Sequence, residues 1–256
     1  MQGFEIINDV RSLLTYHQAL GIECYPRDTA IVHFLERTAE TADGRQTLPQ
    51  QQKVTPALPH VVVPAVTETL QDIAVEIDSC RNCELHVRRK ASVPGKGTTQ
   101  AGLLIVGGWL TRAEQENLPS EMIFGQEEDK MLARMLAAIR LAPGDVFITN
   151  ILKCALPESS QPVAANIHCC LTYLKRQIAV IAPKAICTMG IIATRALLDS
   201  PQSLSQLRGR FHLYTALDGR RIPVMPTYHP SYLLQAEEMK LKTWEDLQLI
   251  EKKLAG

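Results

Sequence analysis

Leu103-Leu104-Ile105-Val106-Gly107-Gly108 is four apolar residues in a row, closed by two glycines. A continuous run of that length, without alternation, suits a strand buried on both faces, as in a parallel sheet. The chain alternates on either side of it. Residues 129–141 carry Met131, Leu132, Met135, Leu136 and Ile139 at helical spacing, and Val146-Phe147-Ile148 reads as a second strand. Ala164–Ile181 is a second helix ended by Pro183, Ala185-Ile186-Cys187 a third strand, and Ile191–Leu198 a short helix after Gly190. Residues 211–214 and 222–225, split by Asp218-Gly219, read as a hairpin, and 239–254 as a closing amphipathic helix. Strand–helix alternation predicts an α/β fold: a three-layer α/β/α sandwich around a mostly parallel, four-stranded sheet. In such sheets the site lies at the carboxyl ends of the strands.

Upstream the pattern is different. Ile6, Ile7, Val10, Leu13, Leu14 and His17 fall near one helical face, with Gly21 placed to end it. From about residue 38 to 69 periodicity fails, and Pro49, Pro56, Pro59 and Pro64 interrupt a Gln-, Thr- and Ala-rich stretch. The expected organisation is an N-terminal helical segment (1–37), a linker (38–70) and an α/β domain (71–256). No apolar run approaches a membrane span and no basic-then-apolar leader opens the chain, so a cytoplasmic protein with no membrane contact, acting as a monomer, is expected. The net charge is zero, but residues 1–70 hold 5 Lys/Arg against 8 Asp/Glu, which leaves the remainder at +3. So mild an excess means that any nucleic-acid binding must come from local patches.

Seven cysteines in a reducing compartment are better read as metal ligands and buried thiols than as disulfides. Cys80 and Cys83 form a CxxC pair, Cys154 follows Lys153, and Cys170 lies within a predicted helix. Four thiolates are the ligand set of an iron–sulfur cluster or of a structural zinc. Cys169 stands beside Cys170 as a competitor, whereas Cys24 and Cys187 lie in apolar settings that suit core thiols.

The remaining informative words stand at predicted strand ends. One is Ile148-Thr149-Asn150-Ile151-Leu152-Lys153-Cys154; another is Pro226-Thr227-Tyr228-His229-Pro230-Ser231-Tyr232-Leu233-Leu234. An Asn and a His projected into one crevice form a hydrogen-bonding pair for a small planar ligand. Together with Cys80-x-x-Cys83-x-Leu85, Val93-Pro94-Gly95-Lys96-Gly97, Cys170-x-x-Tyr173-Leu174 and Leu207-Arg208-Gly209, these words resemble the family 4, iron–sulfur uracil-DNA glycosylases. The resemblance runs from Ser79 to the C-terminus. It implies a [4Fe-4S] cluster held by Cys80, Cys83, Cys154 and Cys170, and DNA carrying uracil or a related deaminated base as partner. It implies further that Asn150 reads the base edge and Phe124 stacks on the flipped base. His229 donates to the uracil O2, and Tyr232, Leu233 and Leu234 wedge into the gap left in the duplex.

The chain departs from that family where strand one ends. The family has Gly-Glu-x-Pro-Gly, whose Glu acts on the attacking water; here Gly107-Gly108-Trp109-Leu110-Thr111 puts Gly108 in the place of the acid. The expected consequence is weakened hydrolysis, or else a protein that binds damaged DNA without cutting it. Trp109 is expected either to fill the pocket or to stack on a different base. Glu114, Glu116 and Glu127 are the substitute acids, and the run Glu127-Glu128-Asp129 suits a helix N-terminus. Arg88-Arg89-Lys90 is either a solvated face or a phosphate contact, and Gly95-Lys96-Gly97-Thr98 is expected to be a plain turn.

Overall fold

A computed structural model describes residues 68–112, 122–157, 160 and 162–255. The predicted N-terminal helix and linker, Cys24, Glu114 and Glu116 lie outside the described residues. No helix among the described residues is long and apolar enough to cross a membrane.

Six strands form the main sheet: β2 (Lys96–Gly97), β3 (Leu103–Gly107), β5 (Val146–Asn150), β7 (Ala185–Met189), β8 (His212–Thr215) and β9 (Arg221–Thr227). Their order is β2-β5-β3-β7-β9-β8. The four central strands are mutually parallel, and β2 and β8 add short antiparallel edges. The expected four-stranded parallel sheet is therefore the centre of a wider one. The edge strand β2 lies where a turn was expected. A side chain at Gly97 would overlap the Val146 carbonyl, and φ there is +133°, so only glycine lets this edge approach β5.

Side-chain alternation divides the core into two layers. Leu103, Ile105, Val146 and Ile148 face one way, towards Leu132, Leu136 and Ile139 and towards Leu247 and Ile250. These partners belong to or directly follow α3 (Gln126–Ala138) and α8 (Lys240–Ala255). Leu104, Val106 and Phe147 face the other way, onto Leu174, Ile178 and Ile181 of α4 (Ala164–Ile181) and Ala193 and Leu197 of α5 (Ile191–Leu198). Helices thus cover both faces, which is why the strands read as unbroken apolar runs. The acidic run opens α3, as expected, although the helix begins at Gln126, ahead of the residue predicted.

A second, three-stranded sheet, β1-β6-β4, was not foreseen; it joins β1 (Ala91–Ser92), β6 (Cys154–Pro157) and β4 (Thr111–Arg112). Two-residue strands leave too little alternation to read. Helix α1 (Leu70–Ser79) packs Ile73 and Ile77 against Tyr173 of α4, and Arg176 of α4 bonds both Glu68 and Glu76. That docking brings the segment following α1 to the N-terminal half of α4.

The end of β9 is held by Asp246 of α8. Its buried carboxylate accepts from Thr227 Oγ1 at 2.7 Å and, on both oxygens, from Arg208 at 2.9 and 3.0 Å. Removing the acid would leave a largely buried guanidinium uncompensated. Asp246→Ala is expected to lower the unfolding free energy by about 3–5 kcal/mol in a urea titration. Asp246→Asn, which keeps the shape and part of the bonding, should cost less.

Candidate base-recognition site and cysteine centre

Brought together at the carboxyl ends of the parallel strands are Gly107, Asn150 and, two residues beyond β9, His229. Gly107 and Asn150 are direct partners in the β3–β5 register. Phe124 closes over them: a Cβ at Gly107 would overlap its ring and lie 2.6 Å from Asn150 Oδ1. The Phe124 and His229 ring centroids are 4.8 Å apart. Four of the predicted site residues thus form one constellation, and Phe124 belongs both to it and to the core.

Two contacts fix Phe124 and orient Asn150. Asp129, on the first turns of α3, accepts the Ile123 and Phe124 N–H groups at 2.9 and 3.1 Å, one on each carboxylate oxygen. The Ile123 carbonyl then accepts from Asn150 Nδ2 at 2.5 Å. A carbonyl can only accept, so this bond settles which way the amide points. Asn150 Oδ1 is left facing the other way, buried and without a hydrogen-bond partner. A buried acceptor left unpaired costs stability unless a ligand satisfies it.

His229 caps α7 (Pro230–Gln235). Its Nδ1 accepts the Ser231 N–H at 3.2 Å and lies 2.8 Å from Ser231 Oγ. With Nδ1 accepting, the ring proton sits on Nε2. Burial pushes the pKa down to about 4, so the imidazole is a neutral donor at physiological pH. Beyond it the expected wedge is a short helix, and its members part company. Tyr232 and Leu234 are exposed, whereas Leu233 is 1% exposed and packs inward. Leu233 therefore anchors the helix and does not fit the wedge role given to it; residue 233 lies on the inner face, which a loop reading could not foresee.

Gly108 lacks any acid, yet the space for a side chain remains. A Cβ there would meet only Ile192, at 3.8 Å, an ordinary contact. Trp109 packs against the cluster of Leu85, Leu152, Cys154, Leu156 and Cys170, on the cysteine side rather than with Phe124 and His229. Glu127 is spent on Lys130 at the surface. In the basic run, Arg89 donates to the Ile77 and Asp78 carbonyls and so closes the end of α1, leaving Arg88 and Lys90 exposed.

Cys80, Cys83, Cys154, Cys169 and Cys170 line one enclosed cavity with Lys153 and His86. All five are free thiols, with Cys154 and Cys170 buried and Cys169 only half-buried. Burial raises the Cys154 thiol pKa and pushes that of Cys170 up to about 11; neighbouring sulfurs add to both shifts. Such a set binds well only if positive charge enters with it. Among the described residues, no three His, Cys, Asp or Glu side chains gather around a point that would hold a single ion. The sulfurs surround a space instead. Lys153 is 1% exposed. Its Nζ donates to Thr149 Oγ1, Asn150 O and Gln177 Oε1 at 2.7, 2.8 and 2.7 Å. Sequence reading quoted Lys153 only as part of a word; its burial carries no sequence signal beyond the apolar residues around it.

The pattern of the Uracil DNA glycosylase superfamily matches residues 94–248. The chain belongs to that superfamily, in its type 4 branch. It is 32% identical to the type-4 uracil-DNA glycosylase of Archaeoglobus fulgidus over 187 residues, 72% of this chain and 92% of that one. The Saccharolobus solfataricus type-4 enzyme is 33% identical over 194 residues, 74% and 88% of the two chains. That of Thermotoga maritima is 28% identical over 184 residues, 71% and 92%. The matched region contains Phe124, Gly108, Asn150 and His229 alike.

The neutral state of His229 has a signature in stability. Its folded pKa lies below the ordinary 6.5, so its contribution is fully present above pH 6.5 and is lost as pH falls to about 4. Between pH 7 and 4 the wild type should lose on the order of 2–3 kcal/mol more unfolding free energy than His229→Asn, which has no imidazole to protonate. Urea titrations of the two proteins across that range measure the difference.

Proposed function

We propose that this protein flips uracil, or a related deaminated base, out of DNA and hydrolyses its N-glycosidic bond, at a rate reduced by the glycine at position 108. The observation that carries the reading is the unpartnered Asn150 Oδ1, buried between Gly107 and Phe124. A buried acceptor rewards a ligand with a matching N–H. Uracil presents one at N3; cytosine presents a bare acceptor there. The second Nδ2 proton of Asn150 is available for the exocyclic oxygen beside it.

In the reaction the bond from the sugar C1′ to N1 breaks and water adds its oxygen to C1′. The electron pair leaves with the base as a uracil anion, and the water proton is released. The neutral His229 Nε2–H donates to the base O2 as that charge grows, which is the electrostatic part of catalysis. A neutral donor suits this step, because it adds a hydrogen bond without first having to be charged. Tyr232 and Leu234, exposed on α7, would support the opened duplex, and the exposed Arg88 and Lys90 would meet phosphates.

Cys80, Cys83, Cys154 and Cys170 are the residues that would hold a [4Fe-4S] cluster, with Cys169 at the rim. Soft thiolates around a space, rather than around one point, suit a polynuclear centre better than a zinc ion, which needs each sulfur about 2.3 Å from a single atom. When bound, the cluster would tie together the segment after α1, the start of β6 and α4; this chain's own residues carry the hydrolysis.

General-base catalysis contributes about 10²–10⁴-fold, which sets the expected loss at Gly108. The test is single-turnover uracil release from single- and double-stranded DNA at stoichiometric protein with its iron intact. The wild type should release uracil slowly, and Gly108→Glu should gain up to about 10²–10⁴-fold, since the fold leaves room for the side chain. His229→Ala should lose about 10²–10³-fold. A second reading, selective binding without hydrolysis, rests on Gly108 itself. It is favoured if neither the wild type nor Gly108→Glu cuts while uracil-DNA is still preferred. Loss of both cutting and preference contradicts both readings.

A further inference from the structure

Lys153 is the largest fully buried side chain among the described residues, and nothing in the proposed hydrolysis uses it. Its three partners are all acceptors. Thr149 Oγ1 already gives its proton to the Pro94 carbonyl at 3.1 Å, so it can only accept from Lys153. Gln177 gives its Nε2 to the same carbonyl at 2.7 Å, which turns Oε1 towards Lys153. Asn150 contributes a backbone carbonyl. Three acceptors require three N–H bonds, and only the ammonium form has them. Yet none of the three carries charge, and no carboxylate bonds Nζ. A buried cation satisfied in hydrogen bonds but not in charge is costly, and such groups are normally paired.

Among the described residues, the cavity that Lys153 lines with the five cysteines is a place beside it where negative charge can gather. Four thiolates outweigh the charge of an iron–sulfur core, so the assembled centre is an anion. We propose that Lys153 is the counter-cation of that centre: its ammonium offsets the charge of the loaded cysteines, and they in turn offset the burial of the ammonium. The inference rests on the cluster reading given above. It also ties the two halves of the site, because a residue that lines the cysteine cavity holds the Asn150 carbonyl through its Nζ.

The test uses the full-length holoprotein, prepared without oxygen, with Lys153→Met and Lys153→Gln as charge-removing variants and Lys153→Arg as the charge-keeping control. Gln retains polar contacts, so it serves should Met not fold. The readouts are iron and sulfide per chain, the reduction potential of the cluster and the rate of iron loss to a chelator. With the positive charge gone, the potential should move to more negative values and iron should be lost several-fold faster, while Lys153→Arg stays close to wild type. A merely structural lysine would change folding yield but leave the potential of the folded fraction where it was. An unmoved potential and unchanged iron loss in the Met or Gln variant overturn the inference alone. A wild type that takes up no iron and sulfide overturns the cluster reading together with it.

Discussion

The end of β5 carries the site, because almost every polar atom of Asn150 there is already committed. Its side-chain nitrogen is given to the Ile123 carbonyl and its backbone carbonyl to Lys153. What remains is the second Nδ2 proton and Oδ1, the latter buried and unpaired. Each commitment restrains something else. The Ile123 bond holds the loop that carries Phe124, and Asp129 clamps that loop from α3. The Lys153 bond reaches back to the cysteine cavity. One asparagine therefore sets the direction of the free acceptor, the height of the aromatic above it and the distance to the sulfur-lined space. In the proposed reading that is preorganisation: the polar atom that would meet the ligand is aimed before the ligand arrives.

Against this rigid frame the change at Gly108 is narrow. The backbone continues through β3 in register with both neighbours, and Trp109, next along the chain, packs on the cysteine side. The anion-stabilising half of the proposed reaction, His229, keeps its cap, its tautomer and its neutral state. The water-activating half is missing its side chain but not the space for it. Loss of one catalytic group without collapse of its surroundings is what the proposed slow hydrolysis depends on.

Much of the fold was legible because its signals are local. Apolar runs marked β3, β5 and β7, the Asp218-Gly219 turn marked β9 as one arm of a hairpin, and helical spacing marked α3, α4, α5 and α8. What escaped was set by tertiary packing. The edge strand β2 exists because Gly97 allows a backbone approach that no other residue would tolerate, and two glycines around one lysine read equally well as a turn. Likewise Leu233 turns inward because α7 is a helix rather than a loop. At the site, residue types with distinctive chemistry were visible: Asn150, His229 and the cysteines stood in recognisable words. Their supports were not. Asp129 stood out only as part of an acidic run at a helix start, Lys153 only as part of the word before Cys154, and Asp246 not at all, because sequence spacing does not tell which charged groups fold inward.

The central claim is that Asn150 Oδ1 reads an N–H on the base edge. The most direct measurement is binding of DNA carrying one 2′-fluoro-2′-deoxyuridine, which resists cleavage, against the same DNA carrying the 2′-fluoro cytidine nucleotide, in wild type and Asn150→Ala. The account predicts tighter binding of the uracil form by wild type, by about tenfold or more, and near-equal binding of both by Asn150→Ala, with affinity for undamaged DNA unchanged. Equal binding of the two bases by wild type, or a uracil preference that survives Asn150→Ala, would contradict it.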